Sequence, residues 1–157
     1  MGIFYRIYYL TFEMCARVIH RSRILRYKLR GYDVDWTTQI ERNVNLERFN
    51  PKGVHIGGDT IITSTSTILA HRLVGNEVIL LDGTHAAKFI AIKEDTFIGR
   101  GCVIGIGAII MPGVRIGDFC IIGSGSIVTH DVPDRCIAVG NPAKIIKSNI
   151  QYTNLKI

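Results

Sequence analysis

Residues Ile92–Thr129 read IKEDTFIGRGCVIGIGAIIMPGVRIGDFCIIGSGSIVT, and a branched apolar residue returns at every sixth place: Ile92, Ile98, Ile104, Ile110, Ile116, Ile122 and Val128. Gly usually follows it, as at Gly99, Gly105, Gly117 and Gly123. Four places after it comes a small or β-branched side chain: Thr96, Cys102, Ala108, Val114, Cys120 and Ser126. A helix would repeat near 3.6 residues and a strand at 2, so a period of six fits neither. It fits short strands joined by tight bends, with Gly where the backbone turns. Three hexads then make one triangular coil, and coils stack at the strand spacing of about 4.8 Å. The apolar stripe fills the interior, and each backbone group pairs with the coil above or below. The register extends upstream through Val34, Ile40 and Leu46, then, after a short insertion, through Ile56, Ile62 and Ile68, with Thr60 and Ser66 at the small position. It fails between His71 and Phe89, so 72–89 is expected to be a loop thrown out from about five coils. Single coils cannot bury their own faces, so the end coils need caps.

The remaining composition narrows the field. At 157 residues the chain is about one domain long. With 47% hydrophobic and 20% charged residues, disorder is not expected. No apolar run reaches the ~18 residues of a membrane span. The net charge of +6 is local. Arg6, Arg17, Arg21, Arg23, Arg26, Lys28 and Arg30 stand against Glu13 alone in the first thirty residues, and the rest is balanced. A nucleic-acid binder with a basic surface would not concentrate its charge in one appendage. Cys15, Cys102, Cys120 and Cys136 form no CxxC pair or zinc-finger spacing. Glu13 and Arg17 interrupt the first apolar stretch, which does not read as a secretory leader. Arg6 breaks the myristoylation pattern. A reducing cytoplasm is the expected compartment.

The ends read as helices. Ile3, Ile7, Leu10, Met14 and Val18 follow an amphipathic spacing, giving a basic helical segment over 1–33. The β-helix domain covers 34–142, and 143–157 forms a tail whose stretch Ala143–Ile150 reads as a short helix closing the prism. The basic, aromatic N-terminal helix has two roles open to it. It caps the unpaired edge of the first coil, or it lies on an anionic membrane surface as a peripheral contact of residues 1–30.

The hexads IGRGCV, IGIGAI and IGDFCI resemble those of the hexapeptide-repeat acyltransferases, whose fold is a left-handed parallel β-helix. Asn50–Gly57, Ile127–Pro133 and Gly140–Lys144 resemble the sugar O-acetyltransferase branch, and the likeness spans roughly 34–147. The handedness comes from the resemblance, because ordinary crossover rules favour the right hand. The resemblance implies a cytoplasmic homotrimer with active sites between subunits, acetyl-CoA as donor, a sugar or glycan hydroxyl as acceptor, and no metal. Ile68-Leu69-Ala70-His71 matches the branch's catalytic-histidine motif and makes His71 the general base, although Arg72 follows it where the branch has Asp or Pro. The coenzyme A contacts carry over to Arg100, Ser124, Thr129, His130 and Lys147. Arg100 replaces a common Ser or Ala, and His130 a common Lys. Phe97 stands where the branch often has Trp.

The chemistry needs a base, an oxyanion donor and a groove that positions both substrates. His85 in the loop is the rival base, and Asp82 or Glu77 is a candidate to orient the imidazole. Backbone N–H groups or Arg100 would steady the oxyanion. Cys102 and Cys120 sit at the small position as inert core, so direct transfer is expected rather than an acyl-enzyme. Two other readings stand beside this one. A zinc hydratase resembling the γ-class carbonic anhydrases would need His55, His71 and His85 around one metal, and a non-catalytic scaffold would want a regular Thr face and no long loop.

Overall fold

The computed structural model describes residues 3–79 and 85–151, leaving out the side chains of 3–11, 13, 76–79 and 85. The period of six is realised as a three-sided parallel coil. One face stacks Asp33–Val34, Val54–Ile56, Thr96–Ile98 and Arg115–Ile116. The second stacks Gln39–Ile40, Ile61–Ile62, Val103–Ile104, Ile121–Ile122 and Ile137–Gly140. The third stacks Asn45–Leu46, Thr67–Ile68, Ile109–Ile110 and Ile127–Val128. The register sets stripe residue upon stripe residue: Val34 with Ile56, Ile104 with Ile122, Ile110 with Val128. These side chains line the buried interior.

Nine of the four-residue corners turn on a left-handed third residue. At Gly101, Gly107, Gly113 and Gly125 glycine takes that place, and Asn43, Asp59, Thr65, Phe119 and Arg135 hold it elsewhere with φ between 56° and 62°. The last residue of one corner column points inward. There Thr38, Thr60, Cys102 and Cys120 each donate to a carbonyl one coil up, those of Gly57, Gly99, Gly117 and Pro133. The thiols replace hydroxyls in a ladder of otherwise unpaired carbonyls. The Cys102 thiol is pushed well above its ordinary pKa, first by its hydrogen bond with Cys120 and then by burial. Cys102 is also fully buried.

Three expectations change. Ile92 keeps the rhythm of six but is not in the stripe; it pairs with Arg72 in an antiparallel ribbon. That ribbon, His71–Ile79 with His85–Lys93, occupies the segment 72–89 read as a loop. Its nine-residue strands satisfy their backbone groups by pairing with each other, which an eighteen-residue loop cannot do. Finally, Ala143–Lys147 is a strand rather than the start of a helix. The chain reverses after Gly140 and pairs antiparallel with Ile137–Gly140, covering the last open edge of the second face. Branched Ile145 and Ile146 suit that role.

At the other end the helix Ile3–Leu29 lays its C-terminal turns on the first coil. Ile24 is fully buried, Arg23 Nη1 donates to the Ile40 carbonyl at 2.9 Å, and Tyr27 meets Tyr32 edge to face at 5.7 Å. The capping role is therefore filled. Among the described residues no helix is long and apolar enough to cross a membrane.

Candidate active site

Both insertions leave the coil at the same corner, where the third face passes to the first. Residues 47–53 lie between Leu46 and Val54, and 69–95 between Ile68 and Thr96. Because Leu46 stacks directly under Ile68, the first residues of the two insertions meet. Those residues include Glu47 and His71.

Glu47 is only 4% exposed. Its Oε1 accepts from the Phe49 N–H at 2.6 Å and the Asn50 N–H at 3.4 Å. Its Oε2 accepts from the Ala70 N–H at 3.0 Å and faces His71 Nδ1 at 2.5 Å. A buried carboxylate needs this many donors to remain ionised. Burial pushes its pKa up, but the donors at Ala70, His71 and Phe49 together outweigh it, so the group settles below the usual carboxylate range. The Glu47 carbonyl is held in turn by the Tyr32 hydroxyl. The imidazole, 23% exposed, also packs against the Phe49 ring at 5.2 Å. With the Nδ1 proton donated to a carboxylate, Nε2 is the basic nitrogen of the ring.

The surrounding corner is braced. Asn50 Nδ2 and the Glu94 N–H both donate to the Ala70 carbonyl, at 2.9 and 3.0 Å. Arg72, which stands where the resembled branch has Asp or Pro, pairs through Nε with Glu94 at 2.6 Å. Arg72 therefore clamps the foot of the ribbon and leaves the imidazole to Glu47.

The lowered pKa of Glu47 makes a stability prediction. A carboxylate whose folded pKa lies below its unfolded one adds stability at pH above the unfolded value, and loses it as pH falls through the folded value. Glu47→Gln also turns an amide donor toward the donors already there, leaving at least one buried group unpaired, at about 1–3 kcal/mol. Urea titrations between neutral and acid pH should show the variant less stable near neutrality, with the gap narrowing in acid. A gap that stays constant with pH would mean the carboxylate charge is not engaged.

The other sequence candidates are placed as follows. His85 opens the return strand of the ribbon, but its side chain, that of Glu77, and residue Asp82 lie outside the described residues. The group that orients His71 is Glu47 instead. Arg100 stands at the corner between first and second faces, 3.8 Å from Asp59 and over the Phe119 ring. Ser124 is at the corner between second and third faces, Thr129 and His130 share a contact of 2.8 Å at the corner after the third, and Lys147 ends the closing strand opposite Ile137. The fold thus spreads these five over all three corners and one end of a single chain. His55 lies on the outside of the first face, bonded to Asp33 at 2.9 Å, stacked on Phe97 at 4.3 Å and 3.9 Å from Asp95. Among the described residues no three His, Cys, Asp or Glu side chains group as a metal site.

Glu47 is the residue that sequence reasoning misses. One signal was available. Leu46 ends a regular hexad, and the next place, usually Gly in the regular coils, carries an acid at the start of an insertion.

Comparison with known proteins agrees with this architecture. The family model for bacterial transferase hexapeptide (six repeats) matches residues 95–130. CapG of Staphylococcus aureus is 37% identical over 131 residues, covering 72% of this chain and 76% of CapG. A galactoside O-acetyltransferase of Lactococcus lactis subsp. lactis is 30% identical over 126 residues, covering 80% of this chain and 58% of that protein. A solved galactoside acetyltransferase in complex with coenzyme A superposes with TM-score 0.51 at 22% identity, covering 80% of this chain and 70% of that one. The chain therefore belongs to the hexapeptide-repeat transferase family, with its left-handed parallel β-helix. Other relatives it matches are named acetyltransferases, and of those of Bacillus subtilis and Lactococcus lactis the chain spans about half the length, 48% and 58%.

Proposed function

We propose that this chain moves an acetyl group from acetyl-CoA to a hydroxyl of a sugar or glycan, with His71 as general base. The observation that carries the reading is the buried Glu47 carboxylate held on His71 Nδ1 at 2.5 Å. Nε2 takes the acceptor proton as its oxygen attacks the thioester carbonyl. The oxyanion forms and collapses, the C–S bond breaks, and the leaving thiolate takes the proton back from the imidazolium. No covalent enzyme intermediate is needed. Positioning and proton transfer supply most of the rate.

Arg100, Ser124, Thr129, His130 and Lys147 are the proposed donor contacts. Their spread over different corners supports a homotrimer, in which a groove between two copies draws on corners from both. Arg100 of one copy is then free to face the oxyanion beside His71 of the next. A galactoside-acetylating relative supports the sugar acceptor. The test is a thiol-release assay with acetyl-CoA and a panel of mono- and oligosaccharides. Acceptor-dependent release supports the reading. Release with no sugar in the panel, but with an amine or amino-acid acceptor, would overturn the acceptor class.

A further inference from the structure

The N-terminal helix keeps an apolar stripe that the prism does not use. Met14, Val18, Leu25 and Leu29 share one helical face by their spacing, and they are between 46% and 79% exposed. The opposite side carries Ile24 and Tyr27, which pack on the first coil, and Arg23, which reaches Ile40. The register of the stripe extends upstream through positions 3, 7 and 10, where the sequence has Ile3, Ile7 and Leu10. Helical spacing sets Arg21 and Lys28 on the prism side of Met14, in line with positions 3 and 10, and Arg26 beyond Leu29 on the other side; Lys28 Nζ lies 5.2 Å over the Trp36 ring of the first coil. Glu13 is the single acid among the seven basic residues of the first thirty.

We propose that this face docks the enzyme on an anionic lipid bilayer. The helix lies in the plane of the interface, the stripe sinks to the boundary of headgroups and acyl chains, and Arg21 and Arg26 meet lipid phosphates. Charge selects this occupant. A second copy packed stripe to stripe would set two basic borders side by side with one acid each to offset them, whereas anionic headgroups complement both. The helix is too polar to cross the bilayer, so the contact is peripheral and weakens with salt. Because the turns around Ile24 are fixed to the first coil, docking holds the whole prism at the surface rather than tethering it on a loose arm.

The test is flotation of the full chain with vesicles of phosphatidylcholine alone and of phosphatidylcholine with about 30 mol% phosphatidylserine, at about 0.05 M and 0.5 M NaCl. The bound fraction should be at least ~10-fold higher on the anionic vesicles at low salt, and fall ~10-fold at high salt. It should fall similarly in Val18→Asp/Leu25→Asp, whose changes lie on exposed positions. Equal binding to both vesicles by the unaltered chain overturns the proposal whatever the variant does. So does a folded variant that floats like the wild type. Concentration-dependent self-association that the variant abolishes, without vesicle binding, assigns the stripe to a second copy and also overturns it. None of these readouts depends on acetyl transfer.

Discussion

His71→Ala lowers kcat for acetyl transfer by about 10²–10⁴-fold, the usual worth of a positioned histidine base, while KM for acetyl-CoA stays near the wild-type value. The split follows from the geometry. His71 is held by Glu47, Ala70 and Phe49, and the proposed donor contacts at its own corner, Thr129 and His130, lie two coils further along the stack. Removing its ring deletes the proton acceptor without touching the donor groove. Glu47→Gln should bring a comparable loss by a different route. A neutral amide facing Nδ1 is free to accept or to donate. If it donates, the ring proton moves to Nε2, and the base is gone although the ring is still in place. The two variants separate in stability: Glu47→Gln leaves buried donors unpaired, and His71→Ala removes a half-buried ring from the edge of the coil. Steady-state kinetics with an accepting sugar decide the matter. Activity that survives loss of His71 but disappears in His85→Ala would move the base to the ribbon.

Much of this architecture was visible in the residues because the interior of a three-sided coil tolerates little choice. At Ile104 or Ile122 only a branched apolar side chain fills the prism, and at Cys102 or Ala108 only a small one fits under the next corner. Such constraints recur every six residues and cannot be hidden by surface variation. The ribbon lacks a constraint of this kind. Leu73 and Phe89 are exposed at 65% and 68%, so among the described residues its strands bury no common face and show no alternation. Ile92 then extends the stripe by coincidence. The pairing of Glu47 with His71 was hidden for another reason. The two are separated by a whole coil, and only the direct stacking of Leu46 under Ile68 brings them within reach. His71 itself was legible through its motif, and the carboxylate behind it was not. The closing strand looked helical because Ala143–Lys147 has no polar alternation. What decides its state is the unpaired edge it meets, a fact of tertiary structure.

Gly105→Ala should be the most damaging small substitution in the coil, and Gly125→Ala should be mild, although both glycines serve corners of the same column. A Cβ on Gly105 would lie 2.5 Å from the Ser124 nitrogen and 2.7 Å from the Gly123 carbon and the Ile122 oxygen. All three are backbone atoms of the next coil. They cannot retreat, because Gly105 N–H donates to that same Ile122 oxygen at 2.8 Å and the neighbouring rungs fix the spacing on both sides. Overpacking typically costs about 1–3 kcal/mol; a clash with three fixed backbone atoms sits at the top of that range, about 3 kcal/mol, and at 2–4 °C per kcal/mol the melting temperature falls by about 6–12 °C. Gly125 differs in kind. Nothing lies within 4 Å of its added Cβ, and its only demand is φ of +68°. Phe119 and Arg135 already meet that demand with side chains at φ 56° and 57°. Alanine there costs about 1–2 kcal/mol, a fall of about 2–8 °C. Thermal melts of the two variants measure the contrast. The same argument explains why Gly follows the stripe residue at Gly57, Gly99 and Gly117, each of whose Cβ positions meets backbone of the following coil within 3 Å. The recurrence of glycine after isoleucine is thus a record of how closely one coil lies on the next. Equal melting shifts for Gly105→Ala and Gly125→Ala would show instead that turn conformation, and not coil spacing, sets the repeat.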